Sequence, residues 1–285
     1  MRKTMIELSL TKIRSLIDPR PSDSYKGNYG HSLIIAGNEQ MAGAAILAAS
    51  ACVHVGSGLT SLLTAKTNIN VCHLHTPEMM VGNWADQNLR KQWISKANHV
   101  LIGPGLGRSQ ESIEILSETL SSIQPNQVLI LDGDAISLWA KEGPFSCKGQ
   151  LIFTPHLGEW LKMQEANNIN DPQEFSDSYQ AILVLKSHQT EIYQPSGLSY
   201  SNIPGNAGMA IGGMGDTLAG MISGLMGQSS SPLGAVLIAA YMHTAIANQI
   251  NQKEFIVLPS RLIKQIPEFM KDLFELKGNR FERRI

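Results

Sequence analysis

An α/β fold, with a central and mostly parallel sheet covered by helices on both faces, is predicted by three observations on this 285-residue chain. Short apolar runs recur without the alternation of a half-exposed strand, as strands buried on both faces do. Segments of helical spacing separate them. The runs also end on glycine, proline or a polar residue, where an open parallel sheet gathers its ligands.

The first strand is "HSLIIAG" from His31, and it leads into "MAGAAILAASACVHVG", which places Ala45, Ala48, Ala49 and Cys52 on one helical face. That small-residue helix, 41–56, also offers a contact surface for a second copy. "LTSLLT" from Leu59 and "HVLIGPG" from His99 are the next strands. A helix over "SQESIEILSETLSSI" opens on Ser109 as N-cap. "VLILDGD" from Val128 follows, then "LIFTPH" from Leu151 running into the helix "HLGEWLKMQEA", then "ILVLKS" from Ile182. "LKSHQTEIYQPSGLSYS" reads as a hairpin turning near Pro195 to Gly197. Three helices beginning near Gly215, Ser231 and Pro259 close the chain, with Ser231–Pro232 as an N-cap followed by proline at the first helical position. Neither a linker nor a repeat divides these elements, so residues 1–285 are predicted to form one domain.

Composition narrows the function. The net charge is −1 with no long block of either sign, which leaves no electrostatic footprint for nucleic acid or anionic lipid and points to small-molecule partners. Cys52, Cys72 and Cys147 are odd in number and form no C-x-x-C pair, so a reducing, cytoplasmic setting is expected. "MRKTMIELSLTKIRSLI" interrupts its apolar residues with charges and reads as no export signal. "SPLGAVLIAAYMHTAIANQI" carries Tyr241, His243, Thr244, Asn248 and Gln249, and fits a buried helix better than a membrane span.

The strand ends carry the chemistry. Gly103-Pro104-Gly105-Leu106-Gly107, Asp132-Gly133-Asp134, Thr154-Pro155-His156 with Glu159, and Lys186 each follow a run directly, and such groups converge on one crevice in a parallel sheet. Each also has a plainer reading. "GPGLG" serves equally as a tight turn, Asp134 fits a helix N-cap, and His156 fits a helix start. Lys186 is either a snorkelling surface lysine or, as its strand-end position favours, a phosphate contact. "CHLH" at 72–75 lacks the distant second pair that a metal site needs. His54 and His243 lie in apolar helical patterns and read as satisfied core or interface histidines.

In "GNAGMAIGGMGDTLAGMISGL", Gly212, Gly213 and Gly215 precede an apolar helical face of Leu218, Met221, Ile222 and Leu225. Glycines at a helix start present bare N–H groups, and the helix dipole favours an anion there. No Lys-Ser/Thr follows, which excludes a Walker P-loop. Asp216 sits in the first turn, where a carboxylate either complements the dipole or serves as a general base beside an anion hole.

"KGNYGHSLIIAG", "MAGAAILAA", "GPGLG", "LDGDAI", "TPHLGEW", "LKSHQT" and "GNAGMAIGGMGDTLAGMISG", in that order over nearly the whole chain, resemble the ADP- or ATP-dependent NAD(P)H-hydrate dehydratases. The resemblance implies a ribokinase-like three-layer fold. It also implies a carbon-oxygen lyase that repairs the S-form of hydrated NADH or NADPH while ADP becomes AMP and phosphate. It places nucleotide on Lys186, Ser187, His188, Gln189 and Thr190 and on Gly212, Gly213, Met214 and Gly215. It places the hydrate against Ala45, Gly105, His156 and the catalytic Asp216, with Mg2+ on the phosphates through ligands the motifs do not name. A homotetramer, and a separate epimerase because the chain starts close to "KGNYG", are further implications. Ser187, Gly133 and Leu157 depart from the family's usual glycine, alanine and proline, and none removes a catalytic group. The rival expectation is a ribokinase-like kinase of a vitamin-precursor alcohol, since a glycine-rich anion hole followed by aspartate is shared across that fold.

Overall fold

The computed structural model of the chain describes residues 5–17, 20–143 and 145–275. Residues 1–4 of the segment read for an export signal, and 276–285 of the predicted domain, lie outside the described residues. In chain order the strands are β1 (Ile6–Glu7), β2 (His31–Ile35), β3 (Leu59–Thr64), β4 (Met80–Asn83), β5 (His99–Ile102), β6 (Val128–Leu131), β7 (Gln150–Phe153), β8 (Ile182–Leu185), β9 (Glu191–Tyr193) and β10 (Ser199–Ser201). They form one sheet in the order β1-β10-β9-β8-β7-β6-β5-β2-β3-β4. From β8 to β4 every pairing is parallel; β8, β9 and β10 pair antiparallel, and β1 runs parallel to β10. Each predicted apolar run is a strand of the parallel block, and the expected hairpin is β9–β10. The sequence pattern missed β4, whose "MVGN" carries too short an apolar stretch to stand out, and the two-residue β1.

The helices are α1 (Leu10–Arg14), α2 (Ala42–His54), α3 (Ile69–His75), α4 (Gln87–Lys96), α5 (Gln110–Ser122), α6 (Asp134–Glu142), α7 (Leu157–Asn167), α8 (Pro172–Tyr179), α9 (Met214–Leu225), α10 (Pro232–Asn251) and α11 (Pro259–Glu275). Two separate cores explain the continuous apolar runs. Ile34, Leu62, Leu101, Ile130 and Ile152 pack with α2, α9, α10 and α11 on one face. Their neighbours Leu33, Leu63, Val100, Ile102, Leu129, Leu131 and Phe153 pack with α4 to α8 on the other. The result is a three-layer architecture, with helices on both faces of the sheet.

Helix starts follow the capping rules where a side chain is free to cap. Ser109 accepts from Ser112 N at 3.2 Å and Ser231 from Gly234 N at 3.1 Å. Asp134 corrects its expectation. The N-cap of α6 is Gly133, at φ 53°, and Asp134 is the first helical residue. Its carboxylate reaches away to accept from Gly107 N and Arg108 Nε, both at 2.9 Å, and so ties the "GPGLG" loop to α6.

The small-residue face of α2 packs inside the chain on α9: Ala45, Ala48, Ala49 and Cys52 are buried there, while Met41 is exposed and Ile46, Leu47 and His54 are half-buried on the rest of the helix. The two backbones cross so closely that a Cβ on Gly220 would stand 2.0 Å from the Ala48 carbonyl oxygen. Among the described residues one helix, Pro232–Asn251, is long and apolar enough to cross a membrane, but 83% of its apolar window is buried inside the protein, as the polar residues within it imply.

Candidate active site

β6, β7 and β8 are adjacent, so the residues that follow them meet at the carboxyl edge of the sheet. Asp132 Oδ1 accepts from Thr154 Oγ1 at 2.7 Å and from Lys186 Nζ at 2.6 Å. All three lie deep: Asp132 and Thr154 are buried, and the Lys186 side chain is 17% exposed. Burial alone would lower the Lys186 pKa, but the charges of Asp132 and Glu159 outweigh it and the pKa is raised. Lys186 is therefore a fixed cation at a strand end and not a snorkelling surface lysine. His156 is the N-cap of α7, its Nδ1 accepting from Gly158 N and Glu159 N, while Glu159 Oε2 accepts from His156 N at 2.8 Å. Burial raises the Glu159 pKa, opposed by the Lys186 charge. Burial and then Lys186 lower that of His156.

The start of α9 faces this cluster. Gly213 takes a left-handed conformation, φ 94°, that turns the chain into the helix, and no side chain caps the first-turn N–H groups. This helix start lies beside Lys186: a Cβ on Gly215 would stand 3.2 Å from Nζ. Asp216 follows on the same turn. Burial, and after it the charge of Asp132, push its pKa up to about 6, with Lys186 pulling the other way. A carboxyl poised there is matched to taking a proton near neutral pH.

A cavity of about 640 Å3 opens beside the cluster. Of the predicted nucleotide residues it is lined by Lys186, Ser187, His188, Thr190, Met214 and Gly215; Gln189, Gly212 and Gly213 are not in its wall. His156, expected with the hydrate, lines the same cavity. The remaining hydrate candidates lie elsewhere, where β2 is flanked by β3 and β5 and the strand order reverses. There Gly37 N donates to Pro104 O at 2.9 Å and Asn38 N to Gly105 O at 2.7 Å. Gly105 is held against Met41 and Ala44, and Ala45 has no exposed surface. Gly205, Asn206, Ala207, Met209, Ala210, Leu218, Ala240, His243 and Thr244 complete the cavity wall and were unassigned from the sequence, because their helices and loop read as ordinary core. The available signal was Ala240, His243 and Thr244 at the i, i+3, i+4 spacing of one face.

"CHLH" folds as part of α3 with Cys72 buried and His73 and His75 exposed, so its groups diverge. Among the described residues no three His, Cys, Asp or Glu side chains are grouped to hold a metal by themselves. The carboxylates whose charges act on Lys186 are Asp132, Glu159 and Asp216.

Comparison with known proteins decides the family. A family model described as NAD(P)H-hydrate dehydratase matches residues 32–268. The chain belongs to the NAD(P)H-hydrate dehydratase family. An ADP-dependent (S)-NAD(P)H-hydrate dehydratase of Staphylococcus aureus is 41% identical over 261 residues, covering 90% of this chain and 94% of that protein. Among solved structures, a ribokinase-like superfamily protein of Enterococcus faecalis superposes with a TM-score of 0.89 at 36% identity, covering 94% of this chain and 96% of the other. The ADP/ATP-dependent NAD(P)H-hydrate dehydratase of Bacillus subtilis, crystallised with ATP and Mg2+, gives 0.82 at 28% identity over 94% and 99%. Within this family of dehydratases the cavity, the uncapped helix start and Asp216 stand together at one edge of the sheet.

Proposed function

We propose that this chain is an ADP-dependent dehydratase of the S-form of hydrated NADH and NADPH, returning NAD(P)H while ADP becomes AMP and phosphate. Relatives carrying that name at 41% and 37% identity support the reaction. The observation that carries it is Asp216, poised at about 6 on an uncapped helix start beside a cavity of nucleotide size. One domain, 1–285, carries both half-sites in this reading.

The ring hydroxyl of the hydrate is a poor leaving group, and phosphorylation makes it a good one. Asp216 takes the hydroxyl proton as the oxygen attacks the terminal phosphorus of ADP; an O–P bond forms and AMP leaves with the electron pair of the broken one. The N–H groups of Met214 and Gly215, with Lys186, absorb the charge that develops on the transferring phosphoryl group. The C–O bond then breaks toward phosphate, helped by the lone pair of the ring nitrogen, and loss of the neighbouring C–H proton restores the double bond. The nicotinamide half is assigned to the side of the Gly105 loop, with Ala45 buried behind that loop as packing, and His156 is assigned to the cavity wall on the phosphate side.

Mg2+ fits this donor set as part of a nucleotide complex. An anionic phosphate chain placed beside Asp132, Glu159 and Asp216 would meet three carboxylates against Lys186 and the weaker charge of Lys162 at Glu159, and Mg2+ characteristically takes one or two carboxylates besides phosphate oxygens. Glu159 and Asp132 would hold it, and when bound it neutralises phosphate charge. Cys52, Cys72 and Cys147 are all free thiols, which supports a reducing cytoplasm. A homo-oligomer, a tetramer in this proposal, would cover Phe255 and Leu258, which are 91% and 49% exposed. A separate epimerase supplies the S-form.

The test is incubation with hydrated NADH or NADPH and either ADP or ATP. Recovery of the near-ultraviolet absorbance of NAD(P)H with equimolar phosphate is expected, faster with ADP. A stable phosphorylated product without that recovery would instead establish the small-molecule kinase.

A further inference from the structure

The wall of the nucleotide cavity formed by α10 contains a histidine that the fold does not account for. Ala240, His243 and Thr244 face the cavity from one side of the helix. Thr244 Oγ1 is engaged, accepting from Asn202 Nδ2 at 2.9 Å, and the same amide donates to Ala240 O at 2.8 Å. His243 differs. It is 5% exposed, and its Nε2 has no hydrogen-bond partner among the described residues. Burial holds the ring down to about 4, against a smaller upward pull from the Met214 backbone, so the imidazole is neutral at pH 7. Buried polar nitrogens are nearly always satisfied, and one left alone calls for a partner that arrives later. Lys186, Met214 and Gly215 line the same cavity, which puts His243 at its phosphate end.

We propose that His243 is a nucleotide-binding residue whose imidazole finds its missing hydrogen bond on bound ADP, so that it serves nucleotide affinity and adds nothing to the stability of the ligand-free fold. A neutral imidazole suits that position because its unpartnered nitrogen offers one hydrogen bond to the nucleotide without placing a second buried cation beside Lys186. The inference rests on the cavity being the ADP site, and the two ideas fail differently.

ADP is titrated calorimetrically against the wild type, His243→Leu, His243→Gln and a cavity-blocking Ala210→Trp, and each ligand-free melting temperature is recorded. The Leu variant is expected to bind ADP about tenfold more weakly, the value of one hydrogen bond, with an unchanged or higher melting temperature. Gln, which keeps a donor and an acceptor, recovers part of the affinity. ADP binding by His243→Leu equal to wild type overturns the proposal, and so does a Leu variant that is destabilised or fails to fold, since either makes His243 a packing residue. If the wild type does not bind ADP, or Ala210→Trp binds it normally, the cavity assignment itself falls and takes this proposal with it.

Discussion

The two edges of the sheet use glycine for opposite purposes. At the amino edge, "KGNYG" forms a short 3-10 turn, Lys26–Tyr29, just before β2. The chain is clasped there: a Cβ on Gly58 would stand 1.8 Å from the Lys26 carbonyl oxygen, and one on Gly227 2.1 Å from that of Tyr29. Arg20 lies over the Tyr29 ring and donates to Gln228 Oε1, closing the clasp from outside. At the carboxyl edge, Gly213 and Gly215 leave backbone N–H groups bare, and four ionisable side chains, Asp132, Glu159, Lys186 and Asp216, gather around them. Gly58 and Gly227 remove volume so that chains can touch; Gly213 and Gly215 leave donors exposed so that a ligand can. Equal density of motif in a sequence thus says nothing about which edge does chemistry.

The contrast is sharpest if changes at one edge alter turnover alone and changes at the other alter stability alone. Asp216→Asn is expected to cut dehydration about a thousandfold, within the usual range for a lost general base, while calorimetry still detects ADP binding. In the wild type the same group makes kcat/KM fall about tenfold per pH unit below about 6, because the base is then protonated. Normal turnover by the Asn variant would erase the distinction.

Gly58→Ala probes the other edge. A backbone oxygen cannot yield as a side chain does, so a loss of about 3 kcal/mol in denaturant unfolding is expected, with ordinary turnover per folded molecule. A comparable loss of turnover per folded molecule would show that the clasp reaches the site.

Acid sharpens the same contrast. His99, beside His31 at the amino ends of β5 and β2, is held by burial to about 4 from 6.5. The unfolded chain binds this proton first, so stability falls as pH drops from about 6.5 toward about 4, by about 3 kcal/mol in full. His243, lowered to about 4 by its own burial, adds a second loss of the same sign. His99→Gln is expected to flatten only part of the slope of unfolding free energy against pH.

Lys186→Met is the smallest of these effects. It removes a charge-assisted contact to phosphate, and ADP affinity is expected to fall roughly ten- to a hundredfold. A shift in kcat without change in ADP affinity would place Lys186 outside the phosphate site.

Much of this was legible in the chain because it depends on local periodicity. Continuous apolar runs between helical segments announced strands buried on both faces, and each of them folded as one. Ser109 and Ser231 capped as expected because a cap is an agreement between residues three apart. Asp216 at a glycine-rich helix start was readable for the same reason. Periodicity reports that a face is buried, but not against what. The small-residue face of α2 therefore reads as buried without showing that α9 lies on it, and His243 reads as core although its helix walls a cavity. Asp134 looked like a cap because its loop partner is Gly107, 27 residues away.

The α/β class, the strand and helix succession and the place of Asp216 at a glycine-rich helix start were thus written in residues a few positions apart, whose geometry the backbone sets. The sheet order, the Lys186–Asp132 pair spanning 54 residues and the raised pKa of Asp216 were decided by the tertiary structure. Charge interactions depend on distance and on exclusion of water, and both exist only once β6, β7 and β8 lie side by side with α9 across their ends.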